Sequence, residues 1–301
     1  MKNNVNTQQE DAFIFGAGTA GQNAYENLKL NYRILGFIDN DKAKYQSNID
    51  GISIFPASIL SQHSHATLFI ASEFFEQIRD QLLSLRFLSA GKIKPLPSRL
   101  LAANRFEHEH KSTARALDVL ACCCEFLKAL SVKHHIDAGT LLGLYRDKQL
   151  IPWDDDLDIA IDASFAPVVQ KALPQLEQQL WLKTHAKWHA QTLFTVGSFG
   201  NVPENAIRAF KIVCENASEL PAVDFFVKYV DDKYSDYSLA SRGIRMPAEL
   251  NATIQSYLCC NYSWPIPART ADYLQQHYGD WETPNPDWSL QDLTNTQVFD
   301  E

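Results

Sequence analysis

The sequence of 301 residues predicts two domains: an α/β domain forming half of a doubly wound fold over residues 1–100, and an α+β domain over residues 101–301. Three observations predict this division. A glycine-rich turn at 16–21 joins a short apolar strand to a helical run. A proline-rich join at 94–98 interrupts the chain. Beyond it, aspartates alternate with aliphatic residues at 156–162, which is the period of a strand.

The composition is that of a globular protein, with 46% hydrophobic and 21% charged residues. The formal net charge of -9 argues against general nucleic-acid binding, which depends on a basic surface. The N-terminus is polar and no apolar run reaches about 18 residues, so we expect neither a signal peptide nor a transmembrane helix. The six cysteines form no CxxC pair, which favours reduced thiols in a cytoplasmic protein.

The first domain alternates apolar strands with helical runs. We expect strands at Ala12–Phe15, Arg33–Ile38, Gly51–Ile54 and Ala66–Ala71, and helices from the glycine turn through Leu30 and from Glu73 to about Phe87. This order corresponds to one half of a doubly wound, Rossmann-like sheet and not to a full dinucleotide domain.

The glycine motif has the GxGxxG spacing in its expected setting between a strand and a helix. Gly16 would permit the tight turn, Gly18 would let a ligand phosphate approach the backbone, and Gly21 would let the helix pack on the strand. Asp39, 18 residues beyond Gly21, has nearly the spacing of an acid that binds a ribose. The alternative is a turn that packs helix on strand and binds nothing.

The segments FGAGTAG and ILGFIDND resemble the small Rossmann-like N-terminal domain of sugar acyltransferases and other bacterial surface-polysaccharide enzymes. The resemblance covers roughly residues 10–100. It implies that this domain holds a nucleotide or a nucleotide-sugar. No residue set beside the motif indicates hydride chemistry.

The second domain begins with a core helix, because leucine, alanine and cysteine recur at helical spacing from about Glu107 to Ser131. A strand at Lys133–Asp137 follows it. Gly139-Thr140 then starts another helix, which carries Arg146 near its end. The histidines near these elements lack acids or cysteines at ligand spacing, so we expect them to be structural.

The strand after Pro152-Trp153 is acidic on one face. Asp156 and Asp158 share a parity with Asp162, and successive side chains of a strand point to opposite faces. Asp156 and Asp158 would lie about 6.6 Å apart along the strand. Like charges placed this way repel, so the pattern favours a bound cation, and oxygen donors favour Mg²⁺ or Mn²⁺ over Zn²⁺. The alternative is a solvated acidic edge strand.

Three further aspartates are assigned to a strand face by the parity of their positions. Asp154 would join the metal face if the strand begins that early, whereas Asp155 has the wrong parity and would only shape the entrance. Asp224 emerges from a later strand on the face opposite Val223 and Phe225, and is the candidate third acid.

A strand, a Gly-Thr helix start and an adjacent D-x-D strand define the active-site layout of nucleotidyltransferase-fold enzymes. In this layout the helix start at Gly139-Thr140 would cradle a phosphate. The acids would hold a metal ion that bridges the phosphates. We therefore expect the nucleotidyltransferase fold in the α+β domain.

The segment GTLLGLYRDKQLIPWDDDLDIAI is similar to the signature of the LicD family, which includes bacterial phosphocholine transferases and fukutin-type ribitol-phosphate transferases. The segments Val223–Phe226, Trp264–Pro267 and Tyr273–Trp281 match its later pattern in the same order, over roughly residues 110–290. The resemblance implies metal-dependent transfer of a phospho-alcohol from a CDP-linked donor to a sugar hydroxyl. The phospho-alcohol would be of the phosphocholine, glycerol phosphate or ribitol phosphate type, and the pathway surface polysaccharide or lipopolysaccharide biosynthesis.

The resemblance also implies roles for single residues. The metal-binding and catalytic carboxylates would be Asp154, Asp156, Asp158 and Asp224, and one of them would accept the proton of the attacking hydroxyl. Gly139 and Thr140 would position the donor phosphate. Arg146 would clamp a phosphate or, alternatively, be a surface arginine at a helix end. Lys211 would reach the donor from a strand, and Tyr278–Trp281 would cover the pocket or only pack.

Two alternative functions stay open. The same fold could transfer a nucleotidyl group to a sugar phosphate, or the chain could be a non-catalytic nucleotide-binding regulator, which the intact D-x-D pattern argues against. The acceptor would be a glycan or a lipid-linked glycan, so we expect a cytoplasmic location that can include the inner membrane surface. The sequence leaves the alcohol, the acceptor sugar and the oligomeric state open.

Overall fold

The computed structural model describes residues 9–102, 106, 110–217 and 219–299, which fall into two units. The first unit holds the described residues up to 102 together with Pro286–Gln291. The second holds the described residues from 106 to Asn285 together with Asp292–Phe299. The expected helix start at Glu107 lies outside the described residues.

The first unit is built on a mixed sheet whose central strands are parallel. Its strands are β1 (Glu10–Phe15), β2 (Tyr32–Ile38), β3 (Asn48–Ile49), β4 (Ile52–Phe55), β5 (Thr67–Ile70) and β6 (Ile93–Pro95), and its helices are α1 (Thr19–Leu28), α2 (Phe75–Ser84) and α3 (Ser98–Leu101). The strand order is β3-β4-β2-β1-β5-β6, and only the β3–β4 pair is antiparallel.

Helices cover both faces of this sheet, because side chains alternate along β1. Ile14 packs in one apolar cluster with Leu28 of α1, whereas Phe13 packs in another with Ile78 and Leu82 of α2. Parallel strands between two helical layers agree with the Rossmann-like arrangement that the sequence predicts.

The second unit is an α+β arrangement around β11. Its elements are α4 (His110–Ala129), β7 (His134–Ile136), α5 (Ala138–Leu142), β8 (Asp156–Asp162), α6 (Ala166–Thr184), β9 (Trp188–Phe194), β10 (Ile207–Cys214), β11 (Ala222–Val230), β12 (Tyr234–Ser238), β13 (Arg242–Pro247), α7 (Glu249–Ala252), β14 (Ile254–Cys259), β15 (Tyr262–Pro267), α8 (Thr270–Tyr278) and β16 (Thr296–Val298). β11 pairs with β8 in parallel and with β10 and β12 antiparallel. β7 flanks β8, β9 flanks β10, and β14 and β15 form a separate hairpin.

The helix predicted after Gly139-Thr140 is shorter than expected. α5 ends at Leu142, and the chain continues in a π-helical turn, Gly143–Asp147, that contains Arg146. π-helical turns are rare and occur frequently at functional sites. In the part of the chain that the structure describes, no helix is long and apolar enough to cross a membrane.

Candidate active site

Two parallel strands bring the predicted acids together. Their register pairs Asp158 of β8 with Asp224 of β11, so the two carboxylates lie on the same face of the sheet. On the other face Leu157 and Ile159 are fully buried in the core. The alternation predicted from the sequence is therefore present in β8.

The alternation does not extend to the two aspartates before β8. The chain turns at Asp154, whose N–H donates to the Ile151 carbonyl at 3.0 Å, and the strand begins only at Asp156. One carboxylate oxygen each from Asp154, Asp155 and Asp156 lie within 4.8 Å of one another. The structure thus places Asp155 among its neighbours, whereas parity predicted a position at the entrance.

The start of α5 holds Asp158. The Thr140 N–H and Oγ1 donate to Asp158 Oδ2 at 3.3 and 3.4 Å, and Oγ1 accepts from the Asp158 N–H at 2.8 Å. Thr140 is 1% exposed, so it orients a carboxylate, and its contact with a donor phosphate stays a prediction. A Cβ at Gly139 would overlap Asp154 Oδ2, so a larger residue at this position would displace the Asp154 carboxylate.

Burial and mutual repulsion govern the charge of these groups. Burial and the neighbouring Asp155 raise the pKa of Asp154 to about 7. Burial, followed by the carboxylates of Asp158 and Asp154, raises the pKa of Asp156 well above its usual range. Burial also raises the pKa of Asp158, with Asp154 and Asp224 adding to the effect. A cation among these oxygens would remove the repulsion.

The donor set fits a hard divalent cation. Among the described residues, the group of three potential metal ligands is Asp154, Asp155 and Asp156, which are all carboxylates. Such oxygens suit Mg²⁺ or Mn²⁺ and are a poor set for Zn²⁺. The metal itself stays a prediction.

Lys211 borders the acids from β10. The strand register pairs it with Asp224, and its Nζ lies 3.2 Å from Asp224 Oδ2. Burial opposes its charged form, but the carboxylates of Asp224 and Asp156 outweigh burial and raise the pKa of Lys211. The side chain is 40% exposed, so this cation can also meet a ligand.

The guanidinium of Arg146 is already engaged. Its Nε and Nη2 donate to the Asp147 carboxylate at 2.8 and 2.7 Å, and Nη1 donates to the Trp281 carbonyl at 3.1 Å. The side chain is 9% exposed, so the alternative of a surface arginine does not hold. A phosphate would have to share this group with Asp147. The geometry favours a role in tying the π-helical turn to the segment after α8.

The Tyr278–Trp281 segment lies against the site. Burial raises the pKa of Tyr278 well above its usual range, and the carboxylates of Asp158 and Asp154 raise it further. The ring of Trp281 packs with Tyr145 at a centroid distance of 5.7 Å. The segment therefore packs beside the acids, and a covering role over bound substrate stays a prediction.

A buried ion pair behind the acids was missed by sequence reasoning. Lys228 Nζ lies 2.7 Å from Asp137 Oδ2, with side chains 4% and 1% exposed. The Tyr273 hydroxyl donates to Asp137 Oδ1 and accepts from Lys228 Nζ. The available signal was that Lys228 has the parity of Asp224 in β11.

The glycine motif of the first unit has the predicted close packing. Gly16 has a φ of +106°, which favours glycine, and a Cβ at Gly21 would overlap the Gly16 carbonyl oxygen. Space beside Gly18 is open within 4 Å. Asp39 accepts from the Ala17 N–H at 2.9 Å and from Lys44 at 2.8 Å, so its carboxylate closes the turn. Ribose binding by Asp39 stays a prediction.

Replacing Gly139 with alanine is expected to weaken Mn²⁺ binding about tenfold, because the new Cβ displaces Asp154. Alanine in a helix should leave the melting temperature unchanged or higher. Calorimetric titration with Mn²⁺ measures the effect. Gly197→Ala is the matched control, since nothing lies within 4 Å of its Cβ position. Equal Mn²⁺ affinity in both variants would contradict the assignment of Asp154 to the site.

Two protein-family models match this chain. Residues 131–267 match the nucleotidyltransferase domain described as LicD/FKTN/FKRP. Residues 8–93 match the N-terminal domain described as C2185-like.

Two curated relatives share shorter segments with the chain. An uncharacterized protein of Rickettsia prowazekii (strain Madrid E) is 46% identical over 54 residues, which cover 18% of this chain and 20% of that protein. An uncharacterized protein of Rickettsia typhi (strain ATCC VR-144 / Wilmington) is 34% identical over 83 residues, 28% of this chain and 27% of that protein. The chain thus spans about a fifth to a quarter of the length of these relatives.

Solved structures match only weakly. UDP-D-quinovosamine 4-dehydrogenase from Vibrio fischeri matches with a TM-score of 0.25 and 21% identity, over 30% of this chain and 80% of that one. UDP-N-acetylglucosamine 3-dehydrogenase from Acidithiobacillus ferrooxidans matches with a TM-score of 0.27 and 10% identity, over 86% and 83%.

Proposed function

We propose that this chain transfers a phospho-alcohol from a CDP-linked donor to a sugar hydroxyl, because residues 131–267 match the nucleotidyltransferase domain described as LicD/FKTN/FKRP. The match suggests phospho-alcohol transfer in general. We assign residues 101–301 to a nucleotidyltransferase-fold catalytic domain. The moved group is of the phosphocholine, glycerol phosphate or ribitol phosphate type, and the acceptor belongs to surface polysaccharide or lipopolysaccharide biosynthesis.

The convergence of four carboxylates supports this proposal most directly. Asp156 and Asp158 lie on β8, Asp154 lies in the turn before it, and Asp224 lies on the strand paired with β8. The carboxylate oxygens that lie within 4.8 Å of one another are those of Asp154, Asp155 and Asp156. We propose that Asp154, Asp156, Asp158 and Asp224 together hold Mg²⁺ or Mn²⁺. When bound, the metal ion neutralises charge on the donor phosphates and on the phosphoryl group being transferred.

The remaining roles fall to this chain's own side chains. Thr140 fixes Asp158 through three hydrogen bonds. Lys211, paired with Asp224, places a cation where it can meet an oxygen of the donor. A carboxylate of the cluster accepts the proton of the attacking sugar hydroxyl, with Asp224 or a β8 aspartate as the candidates.

A donor screen tests the proposal. The purified full chain is incubated with Mg²⁺, an oligosaccharide acceptor and CDP-choline, CDP-glycerol or CDP-ribitol. We expect CMP release with one donor, an acceptor heavier by one phospho-alcohol, and loss of both on addition of EDTA. Pyrophosphate release from CTP and a sugar phosphate would instead indicate nucleotidyl transfer. No turnover across donors and acceptors would contradict both activities.

For residues 1–100 we propose a nucleotide- or nucleotide-sugar-binding domain. The open space beside Gly18 and a first turn of α1 without acidic residues support a bound phosphate there. We further propose that the chain works in the cytoplasm, at the inner membrane surface when its acceptor is lipid-linked.

A further inference from the structure

A buried ion pair joins the three elements around the acidic cluster. Lys228 lies on β11, four positions after Asp224, and Tyr273 lies on α8. Asp137 lies between β7 and α5, at the N-cap position of α5. Because the Lys228 ammonium forms an ion pair with Asp137 and donates a hydrogen bond to Tyr273, it links β11, the β7–α5 junction and α8.

The backbone of Asp137 is tied to the cluster. Its N–H donates to the Asp158 carbonyl at 2.9 Å, and its carbonyl accepts from the Leu141 N–H at 2.8 Å. Three residues later, Thr140 binds the Asp158 carboxylate. A change in the position of Asp137 would therefore move both the backbone carbonyl and the side-chain carboxylate of Asp158.

The surroundings leave Lys228 as the counter-ion of Asp137. Burial lowers the pKa of both His135 and His277 to about 4, so both rings are neutral at pH 7. The Lys228 ammonium lies 4.7 Å from the ring centroid of Tyr237 and 5.0 Å from that of Tyr273. Aromatic faces of this kind stabilise a desolvated cation. Removing the ammonium would leave the Asp137 carboxylate buried without its counter-ion.

We propose that Lys228 and Asp137 are positioning residues of the transfer site. Their ion pair fixes the β7–α5 junction that orients Asp158, and it commits the Asp137 carboxylate to Lys228 and Tyr273 instead of to the metal ion. The inference rests on the proposed function, because it assigns Asp158 to the metal site.

The test compares Mn²⁺ affinity among folded variants of the full chain. Lys228→Met is expected to weaken Mn²⁺ binding by about 10- to 100-fold, the range typical for outer partners of metal ligands. The measurement is electron paramagnetic resonance titration at a temperature where circular dichroism shows a folded chain. Tyr273→Phe removes only a hydroxyl and is expected to act in the same direction at the lower end of that range.

Arg245→Met is the matched control. Arg245 on β13 forms an ion pair with the fully buried Asp236 at 2.8 Å. This variant therefore also leaves a buried carboxylate without its counter-ion. It is expected to lower the melting temperature and to leave the Mn²⁺ affinity unchanged. A purely structural role for Lys228 predicts the same result as for Arg245.

The outcomes separate this inference from the proposed function. Wild-type affinity in both Lys228→Met and Tyr273→Phe overturns the positioning role, and so does wild-type affinity in Tyr273→Phe alone if Lys228→Met does not fold. A wild-type chain that binds Mn²⁺ but transfers no group counts against the proposed reaction only, since the affinities still decide the role of Lys228. A wild-type chain that binds no Mn²⁺ overturns both.

Discussion

Replacing Asp156 with asparagine is expected to lower CMP release by at least about 1000-fold while the chain stays folded. A metal ion contributes several kcal/mol to the stabilisation of the transition state, and each 1.36 kcal/mol is a factor of ten in rate. Asparagine has the same shape but no charge, so it also removes a carboxylate that repels Asp158 and Asp154. The melting temperature without metal should therefore be unchanged or higher. Turnover assays and thermal denaturation in EDTA measure both effects.

Asp162→Asn is the matched control for this variant. Asp162 lies on the same strand and has the same parity, but at the far end of β8 from the cluster. Its carboxylate accepts from the Ser164 N–H at 2.9 Å, a cap that asparagine can replace. We expect wild-type turnover from Asp162→Asn. If Asp156→Asn kept turnover within tenfold of wild type, the assignment of Asp156 as a metal ligand would be wrong.

Local alternation was sufficient to predict the acidic face of the site. In β8 the aliphatic residues are buried and Asp158 faces Asp224, as period two requires. It failed at Asp155, because parity applies only inside a strand and the start of β8 depends on the turn at Ile151–Asp154. Where a strand begins is set by packing that a short window of sequence does not contain.

Long-range pairing explains what else the sequence did not reveal. Lys228 looks like an ordinary strand lysine until β11 is placed beside β8 and α8 is packed over the same face. Arg146 was predicted as a phosphate clamp because a guanidinium is always charged and donates a fork of hydrogen bonds, and the alternative was a surface arginine at a helix end. Its bond to the Trp281 carbonyl depends on a segment more than a hundred residues away. Pairings of this kind follow from tertiary packing and not from local pattern.

Mg²⁺ is expected to stabilise the protein, and to do so much more at pH 8 than at pH 5.5. At a concentration 100 times the dissociation constant, a ligand of the folded state adds about 2.7 kcal/mol. For a domain the size of residues 101–301 that corresponds to a rise in melting temperature of about 5–10 °C. Protons compete with the metal for the carboxylates at the lower pH. Thermal denaturation with Mg²⁺ or EDTA at both pH values measures the difference.

The direction of the pH effect follows from the raised pKa of Asp154, about 7 in the folded chain against an ordinary value of 3.8. Between pH of about 4 and about 7, the metal-free folded chain keeps a proton on Asp154 that the unfolded chain releases. The stability that this proton gives the folded chain is full below pH of about 4 and is lost as pH rises through about 7. His135 and His277 act oppositely, since burial lowers their pKa to about 4 and their contribution is lost as pH falls.

Asp154→Asn isolates the carboxyl from the histidines, because the variant keeps both rings. In EDTA, the melting temperature of wild type minus that of Asp154→Asn should decrease as the pH rises from 5 to 8. Parallel melting curves across that range would show that Asp154 does not titrate in the cluster. An equal response to Mg²⁺ in the two proteins at pH 8 would show that Asp154 does not hold the metal ion, and would leave Asp156 and Asp158 to do so with Asp224.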